Sequence, residues 1–237
     1  MSKIIVWSDP MSKDKAASPK AQRLQREREQ RRKAIIKVAS EFFSTQGYEQ
    51  TMVEEIAQAA GYTKMTIYNY FETKDDIFAA VVSQAYQKLY EIMNNHLRKA
   101  EVSYELRSMG DAYFAFFERY PDDAILFESG HLSAITSKIV KKIQNNESLT
   151  ESEQEFRHDM EMLEQLMTSV IAETLKQSGV QDKVDPFSVI MVLSTFAQAI
   201  RELVMRGRMN DQPEEKTKEY LSVFFNIIDQ GLKHYDD

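Results

Sequence analysis

Residues 51–74 read TMVEEIAQAAGYTKMTIYNYFETK, and this stretch decides the fold because its capping and turn residues are spaced as in two short helices joined by a sharp turn. Thr51 precedes an amphipathic segment, and Glu54 follows three residues later. Such a pair can satisfy the free backbone N–H groups at a helix start as a capping box. We therefore predict a first helix over residues 52–60.

A second helix is expected after about three residues of turn. Gly61 can adopt the positive φ that ends the first helix sharply, and Thr63 can cap the next one. The second helix is predicted over residues 64–71. Its Ile67 can pack against the first helix, where the small Ala57 lets the two backbones cross closely.

The face of the second helix opposite Ile67 carries side chains that can read DNA. Helix positions turn by about 100° per residue, which directs this face outward. Asn can bond the edge of an adenine, Thr and Met can touch a thymine methyl group, and Lys near a helix start can reach a guanine or a phosphate. Hydroxyl groups at the margins, and a Lys at the next helix start, suit phosphate oxygens. The candidate DNA-contacting residues are Thr51, Lys64, Met65, Thr66, Tyr68, Asn69, Tyr70 and Lys74.

Residues 31–77 resemble the DNA-binding domain of the tetracycline-repressor (TetR) family of transcriptional regulators. The resemblance is carried by FFSTQGY at the end of one helix, by TMVEEIAQAAG and by TIYNYFETK. It implies an all-α fold, in which an N-terminal three-helix head with the helix-turn-helix joins a larger helical bundle that binds a ligand and dimerises. It also implies that a helix over residues 30–46 braces the head.

The resemblance assigns roles within the predicted interface. Tyr68 and Lys74 would contact phosphates, and residues 63–70 would address the operator, which adds Thr63 to the candidates. Met65 departs from the small residue common at its place, and Tyr70 replaces a frequent His, so the operator sequence stays open. The alternative is that the apolar residues of this stretch serve only as the core of a helical adaptor that binds no DNA.

Composition places the chain among ordinary globular proteins. Of its 237 residues, 43% are apolar and 28% are charged, which allows one or two domains and a sizeable core. The absence of cysteine excludes disulfides, thiol catalysis and thiolate metal sites. Apolar stretches are too short to span a bilayer, and the start lacks the apolar core of a secretory signal. We expect a cytoplasmic protein without a membrane partner.

Signatures of common enzymes are missing from the sequence. It contains no phosphate-binding glycine loop, G-x-S-x-G elbow or H-E-x-x-H pair, and only seven glycines are available for loop-built sites. One alternative lies in two Glu-x-x-His pairs, Glu128 with His131 and Glu155 with His158, because di-iron helix bundles use this spacing. We expect no enzyme, no cofactor and no metal.

Charge is divided unevenly along the chain. The formal net charge is −7, but residues 1–74 hold 13 Lys and Arg against 9 Asp and Glu, so the excess of acid lies in the remainder. A basic run over residues 20–37 can be a solvated helix or an arm that follows DNA. We divide the chain into a mobile tail at 1–20, a basic arm and DNA-binding domain at 21–74, and an effector-binding and dimerisation domain at 75–237.

The rest of the chain is patterned as successive helices without alternating strand segments. A long helix over residues 75–99 can pack on both the head and the body. Residues 103–178 form the region where the resemblance places a ligand cavity. Met and aromatic side chains suit an adaptable apolar pocket, although at helical spacing such residues are more often plain core. The candidate ligand-binding residues are Phe114, Phe117, Phe127, His131, Met160, Leu163 and Met167.

The last two helices indicate how the chain assembles. Residues 186–206 and the helix after Pro213 are apolar on nearly every side, so a second copy can cover the faces that the core does not. A monomer whose own core covers them is the alternative. The candidate interface residues are Phe187, Ile190, Leu193, Ile200, Leu221, Phe224, Phe225 and Ile228.

A homodimer would place two recognition helices about one DNA turn apart on a pseudo-palindromic, double-stranded operator. We expect a repressor, the family's usual mode, that releases this operator when a small apolar or amphipathic effector binds. The mechanism would be a population shift towards a state in which the long helix over residues 75–99 has swung, so that the two heads no longer match the operator spacing.

Overall fold

The computed structural model describes residues 18–100, 105–127, 129–209 and 214–233. Every regular element within these ranges is an α-helix, as predicted. Residues 1–17 of the predicted tail lie outside the described part of the chain. The helices are α1 Pro19–Gln50, α2 Val53–Ala59, α3 Lys64–Tyr68, α4 Lys74–Leu97, α5 Glu105–Arg119, α6 Pro121–Leu126, α7 Gly130–Gln144, α8 Glu151–Gln177, α9 Pro186–Met209 and α10 Glu214–Lys233.

The basic run forms the first half of α1, so it is a helix in the free protein. Ser18 caps this helix, because its hydroxyl accepts the backbone N–H of Ala21 at 3.3 Å, and Pro19 fits the first turn. The bracing helix therefore begins 11 residues earlier than predicted, at Pro19 and not at residue 30. Gly47 interrupts its last turn with a φ of +80°, which lets Tyr48 point back towards the body.

The cap of α2 differs from the prediction by one residue. The carboxylate of Glu55 accepts the backbone N–H of Met52 at 3.0 Å, so the pair that closes the helix start is Met52 with Glu55. The predicted pair of Thr51 with Glu54 is wrong, because the Thr51 hydroxyl donates to the carbonyl of Gly47 at 2.7 Å instead. A hydrogen bond back to a residue four positions earlier, in the last turn of α1, has taken the group that the pattern assigned to the cap.

Two apolar cores meet along α4. One core joins α1, α2, α3 and the first half of α4 to residues of α6, α7 and the start of α8. The other joins the second half of α4 to α5, α8, α9 and α10. The side chains from Ile77 to Val82 are all buried, so the first half of α4 is surrounded by protein. The prediction that one long helix packs on both head and body is confirmed.

Candidate nucleic-acid interface and ligand cavity

α2 and α3 form a helix-turn-helix whose turn is fixed by backbone geometry. Gly61 adopts a φ of +75°, and the N–H of Tyr62 donates to a carbonyl of α2 at 2.8 Å, which closes the end of that helix. The hydroxyl of Thr63 accepts the N–H of Thr66 at 3.1 Å and caps α3. Because Ile67 is completely buried in the head, the opposite face of α3 points to solvent.

The outer face of α3 combines apolar and polar groups. Met65 exposes 73% of its surface and Tyr68 exposes 41%, which is a high exposure for large apolar side chains. Asn69 is also exposed, and Thr66 is half-buried with its hydroxyl 2.9 Å from that of Thr63. This face can therefore meet the edges of bases without moving any buried group.

Lys64 is exposed but already paired. Its ammonium forms a salt bridge with the carboxylate of Glu54 on α2. The hydrogen bond from Lys64 lowers the pKa of Glu54, and the same bond raises the pKa of Lys64. Because water screens this pair, it holds Lys64 only weakly, and a DNA phosphate or a guanine can replace the carboxylate.

Thr51 and Lys74 occupy internal positions in the head. Thr51 is buried, with its hydroxyl bonded to Gly47. The ammonium of Lys74 donates to the carbonyls of Tyr48 and Thr51 at 2.8 and 3.0 Å, and it lies 4.1 Å from the centroid of the Tyr48 ring. The side-chain phosphate contact predicted for Thr51 is not supported, because its hydroxyl proton is used inside the protein. Lys74 uses two of its three N–H donors there and keeps the third for the predicted phosphate contact.

Tyr70 and the basic run connect the head to α8. Tyr70 is half-buried against the core, with the guanidinium of Arg28 5.7 Å from its ring centroid. Arg28 pairs with Glu151 of α8 at 3.4 Å. Arg32 pairs with Glu155 at 2.7 Å. The basic side chains of α1 that remain exposed to solvent include Lys20, Arg26, Arg31, Lys33 and Lys37.

A polar cluster that the sequence did not predict lies where α1, α4 and α7 meet. The carboxylate of Asp75, at the start of α4, accepts the hydroxyl of Tyr48 at 2.5 Å. His131 and Lys138 of α7 approach the same carboxylate at 3.2 and 2.6 Å. The His131 ring also stacks on Tyr48, with the ring centroids 3.3 Å apart. We call these four residues the Asp75 cluster.

The protonation of the Asp75 cluster follows from its partial burial. Burial opposes the charge of Asp75, but the hydrogen bonds from Lys138 and Tyr48 outweigh it and hold the pKa of Asp75 below its ordinary value. Burial raises the pKa of Tyr48, and the bond to Asp75 adds to this effect. Burial lowers the pKa of His131, and Asp75 offsets this only in part. At neutral pH the cluster therefore combines an ionised Asp75 with a neutral His131.

An apolar cavity of about 380 Å³ lies in the body, walled by residues from α4, α5, α8, α9 and α10. This volume lies within the range of about 300–1,000 Å³ that small-molecule sites occupy. Phe117 is buried in the core beside the cavity, and His131 belongs to the Asp75 cluster, so neither of these predicted ligand-binding residues lines the wall. The predicted residues that do line it are Phe114, Phe127, Met160, Leu163 and Met167.

The apolar residues of α9 and α10 divide into an inward and an outward set, and the predicted interface residues fall in both. Ile200 and Leu221 lie outside the described side chains. The inward set, which lines the cavity or packs in the core beneath it, is Ile190, Leu193, Phe224, Phe225 and Ile228. The outward set is Phe187, Met191, Val192, Tyr220, Val223 and Ile227. Five of the predicted interface residues therefore lie at the cavity or in the core beneath it, and Phe187 lies in the outward set.

The described members of the two Glu-x-x-His pairs do not converge. Glu155 is bonded to Arg32, His158 is exposed, and His131 faces Asp75, while Glu128 lies outside the described residues. Within the described ranges, no group of three or more His, Cys, Asp or Glu residues could hold a metal ion. Among the same residues, no helix is long and apolar enough to cross a membrane.

The head matches a known family of proteins. The family described as bacterial regulatory proteins, tetR family, matches residues 35–81, from the middle of α1 into α4. The head of this chain is therefore similar to the heads of TetR-family regulators. The HTH-type transcriptional regulator AcrR of Shigella flexneri is 32% identical to it over 91 residues, which cover 38% of this chain and 39% of that regulator. The chain thus spans well under half the length of this relative.

Other similarities extend over the body of this chain. The fatty acid metabolism regulator protein of Bacillus subtilis is 25% identical over 179 residues, which cover 75% of this chain and 84% of that protein. The solved structure of the fatty acid degradation regulator FadR from Bacillus halodurans aligns with a TM-score of 0.59 and 18% identity, over 85% of this chain and 93% of that one. The arrangement of head and helical body is therefore shared with a solved regulator.

Proposed function

We propose that this chain is a sequence-specific DNA-binding transcriptional regulator of the TetR family, and that it represses transcription until a small apolar or amphipathic effector releases it from its operator. The proposal rests on the outer face of α3, where Met65, Tyr68 and Asn69 are exposed opposite the buried Ile67. A helix held in this way can enter a major groove. Such a protein acts in the cytoplasm, needs no cofactor and catalyses no reaction.

We propose that the protein works as a homodimer through the outward set on α9 and α10. Phe187, Val192 and Ile227 each expose more than half of their surface, at 59%, 60% and 65%. Large apolar side chains gathered on two neighbouring helices are typical of a surface that a second copy covers. Two-fold pairing would carry one α3 helix on each side of the axis, which suits a pseudo-palindromic operator.

The cavity supports an effector with an alkyl or aromatic body. Its wall is built mainly from Leu, Met, Ile, Phe and Tyr side chains, and Met adapts readily to ligands of different shape. The fatty acid metabolism regulator among the similar proteins favours an effector with a long alkyl chain. An effector in this cavity would touch Leu132, which follows His131 of the Asp75 cluster, as well as Leu89 of α4.

Selection from a random DNA pool tests the DNA-binding proposal. The full-length protein is expected to enrich a palindromic sequence, with an affinity that falls steeply as salt is raised. Asn69→Ala should change the preferred base at one position in each half-site, at a cost of about 1–3 kcal/mol in discrimination. Tyr68→Ala should weaken binding to all sequences alike.

The exposed Asn95 at the far end of α4 provides a matched control for Asn69. Asn95→Ala is expected to leave the selected sequence and its affinity unchanged. If the Asn69, Tyr68 and Asn95 variants all behaved like the parent protein, α3 would not read DNA, and the helical adaptor would be the better explanation.

A further inference from the structure

We infer that the effector carries a positive charge and that Glu164 is the residue that selects it. This inference rests on the proposed effector-binding function and narrows it to lipophilic cations, in which an amine or quaternary ammonium group is attached to an apolar body. It follows from the charges on the cavity wall, from the pairing of α8 and from the aromatic rings around the cavity.

Glu164 supplies the charge of the cavity wall. Among the described side chains that line the cavity it is the one ionisable acid, and Lys, Arg and His are not found there. The other polar groups on the wall include the hydroxyls of Tyr86, Tyr113 and Ser194 and the amide of Gln198. A ligand in this cavity therefore meets a carboxylate and neutral groups, and no counter-charge for an anion.

Glu164 also differs from the other glutamates of its helix. It makes no ion pair within the described part of the chain, and it is solvent-accessible at the cavity wall. The glutamates of α8 that do pair with a Lys or Arg are Glu151, Glu153, Glu155, Glu161 and Glu173. A carboxylate without a counter-charge at the wall of an apolar cavity attracts cations and repels anions.

The aromatic rings of the wall provide a second feature that suits a cation. Tyr86, Tyr113, Phe114, Phe127 and Phe196 all line the cavity. The faces of aromatic rings attract ammonium groups, and quaternary ammonium ions in particular are bound in aromatic cages. The same rings bury the apolar body of the ligand, so one wall can hold both parts of an amphipathic cation.

An anionic effector would be recognised differently. Carboxylates and phosphates are bound by Arg, Lys or the N-terminus of a helix. A fatty acid or its thioester with coenzyme A would bring negative charge towards Glu164. The alkyl chain suggested by the fatty acid regulator and the positive head group inferred here are compatible, because the chain and the head group contact different parts of the wall.

Calorimetric titration of the full-length protein with four ten-carbon probes tests the inference. The probes are decyltrimethylammonium, decanol, decanoate and decanoyl-coenzyme A, which share the chain and differ in charge. Decyltrimethylammonium is expected to bind about tenfold more tightly than decanol, equivalent to about 1.4 kcal/mol, with both anions weaker than decanol. Glu164→Gln should remove this preference for the cation and leave decanol binding unchanged.

Glu173→Gln is the matched control, because it removes the same charge from α8 at a position away from the cavity wall. It should leave all four affinities unchanged. Equal binding of the four probes, tighter binding of either anion, or a cation preference that survives Glu164→Gln would overturn the inference.

Titration without DNA keeps this inference separate from the proposed function. A cation that binds through Glu164 but leaves operator affinity unchanged would refute effector release and support the charge selection. An operator released by decanoate or decanoyl-coenzyme A, and not by the cation, would support effector release and overturn the charge selection.

Discussion

The Asp75 cluster predicts that His131→Ala weakens the junction between the head and the body. His131 lies on α7 and contacts Tyr48 of α1 and Asp75 of α4, so it belongs to the body but touches two helices that position the helix-turn-helix. Truncation removes both contacts. Asp75 keeps its hydrogen bonds from Tyr48 and Lys138, so the variant leaves no unpaired buried charge.

The expected loss of stability follows from the two contacts. An aromatic stack such as that of His131 on Tyr48, with centroids 3.3 Å apart, contributes about 0.5–1.5 kcal/mol. The bond from His131 to Asp75 at 3.2 Å contributes about 1 kcal/mol, because the imidazole is half-buried and uncharged at neutral pH. The free energy of unfolding should fall by about 2 kcal/mol, which lowers the melting temperature by roughly 4–8 °C in a chain of this size.

Thermal unfolding followed by circular dichroism at pH 7.5 measures this loss. His158→Ala is the matched control, because His158 is exposed on α8 and the same atoms are removed. Its melting temperature should stay within about 1 °C of the parent protein. If His131→Ala had the same melting temperature as His158→Ala, the contacts of His131 would not stabilise the junction. The Asp75 cluster could then not couple α7 to the head.

Three further changes test other parts of the structure. Burial keeps the pKa of His131 below 6.5, so the folded state binds fewer protons than the unfolded state near that pH. The free energy of unfolding, measured by urea titration, should therefore fall as the pH is lowered from 7.5 to 5.5. His131→Gln should make this dependence on pH less steep. Ile67→Ala should cost about 2–4 kcal/mol in urea unfolding and weaken operator binding in a gel-shift assay, because its side chain is completely buried beneath the reading face. A Cβ at Gly110 would lie 1.9 Å from Phe225, so Gly110→Ala should change the affinity of cavity probes in calorimetry, whereas Gly231→Ala, with open space around it, should not.

The head was predictable because short-range signals determine it. The positive φ of Gly61, the cap at Thr63 and the burial of Ile67 each follow from a few neighbouring residues. Thr51 and Lys74 show where such signals fail. Both side chains donate to backbone carbonyls in the last turn of α1 or just after it, and the sequence pattern does not reveal that these carbonyls need donors.

The sequence predicted that the body is made of helices, but not which face of each helix lies inward. Val192 and Leu193 are neighbours on α9, yet one exposes 60% of its surface and the other is buried at the cavity. A helix that is apolar on nearly every side has no periodic signal that separates its inner face from its outer face. The Asp75 cluster was hidden for a different reason: its hydrogen bonds link residues 27, 56 and 63 positions apart, beyond the reach of any helical spacing.

α8 places the cavity and the head within about one helical turn of each other. Met160 lines the cavity, and its neighbour Asp159 accepts a hydrogen bond from Gln87 of α4 at 2.8 Å. One turn earlier, Glu155 holds Arg32 of α1. Because packed helices move as units between discrete arrangements, an effector that displaces Met160 would move attachments to both α1 and α4. We therefore expect the head to respond through α8 as well as through the proposed swing of α4, so that a substitution that blocks one route need not abolish the response.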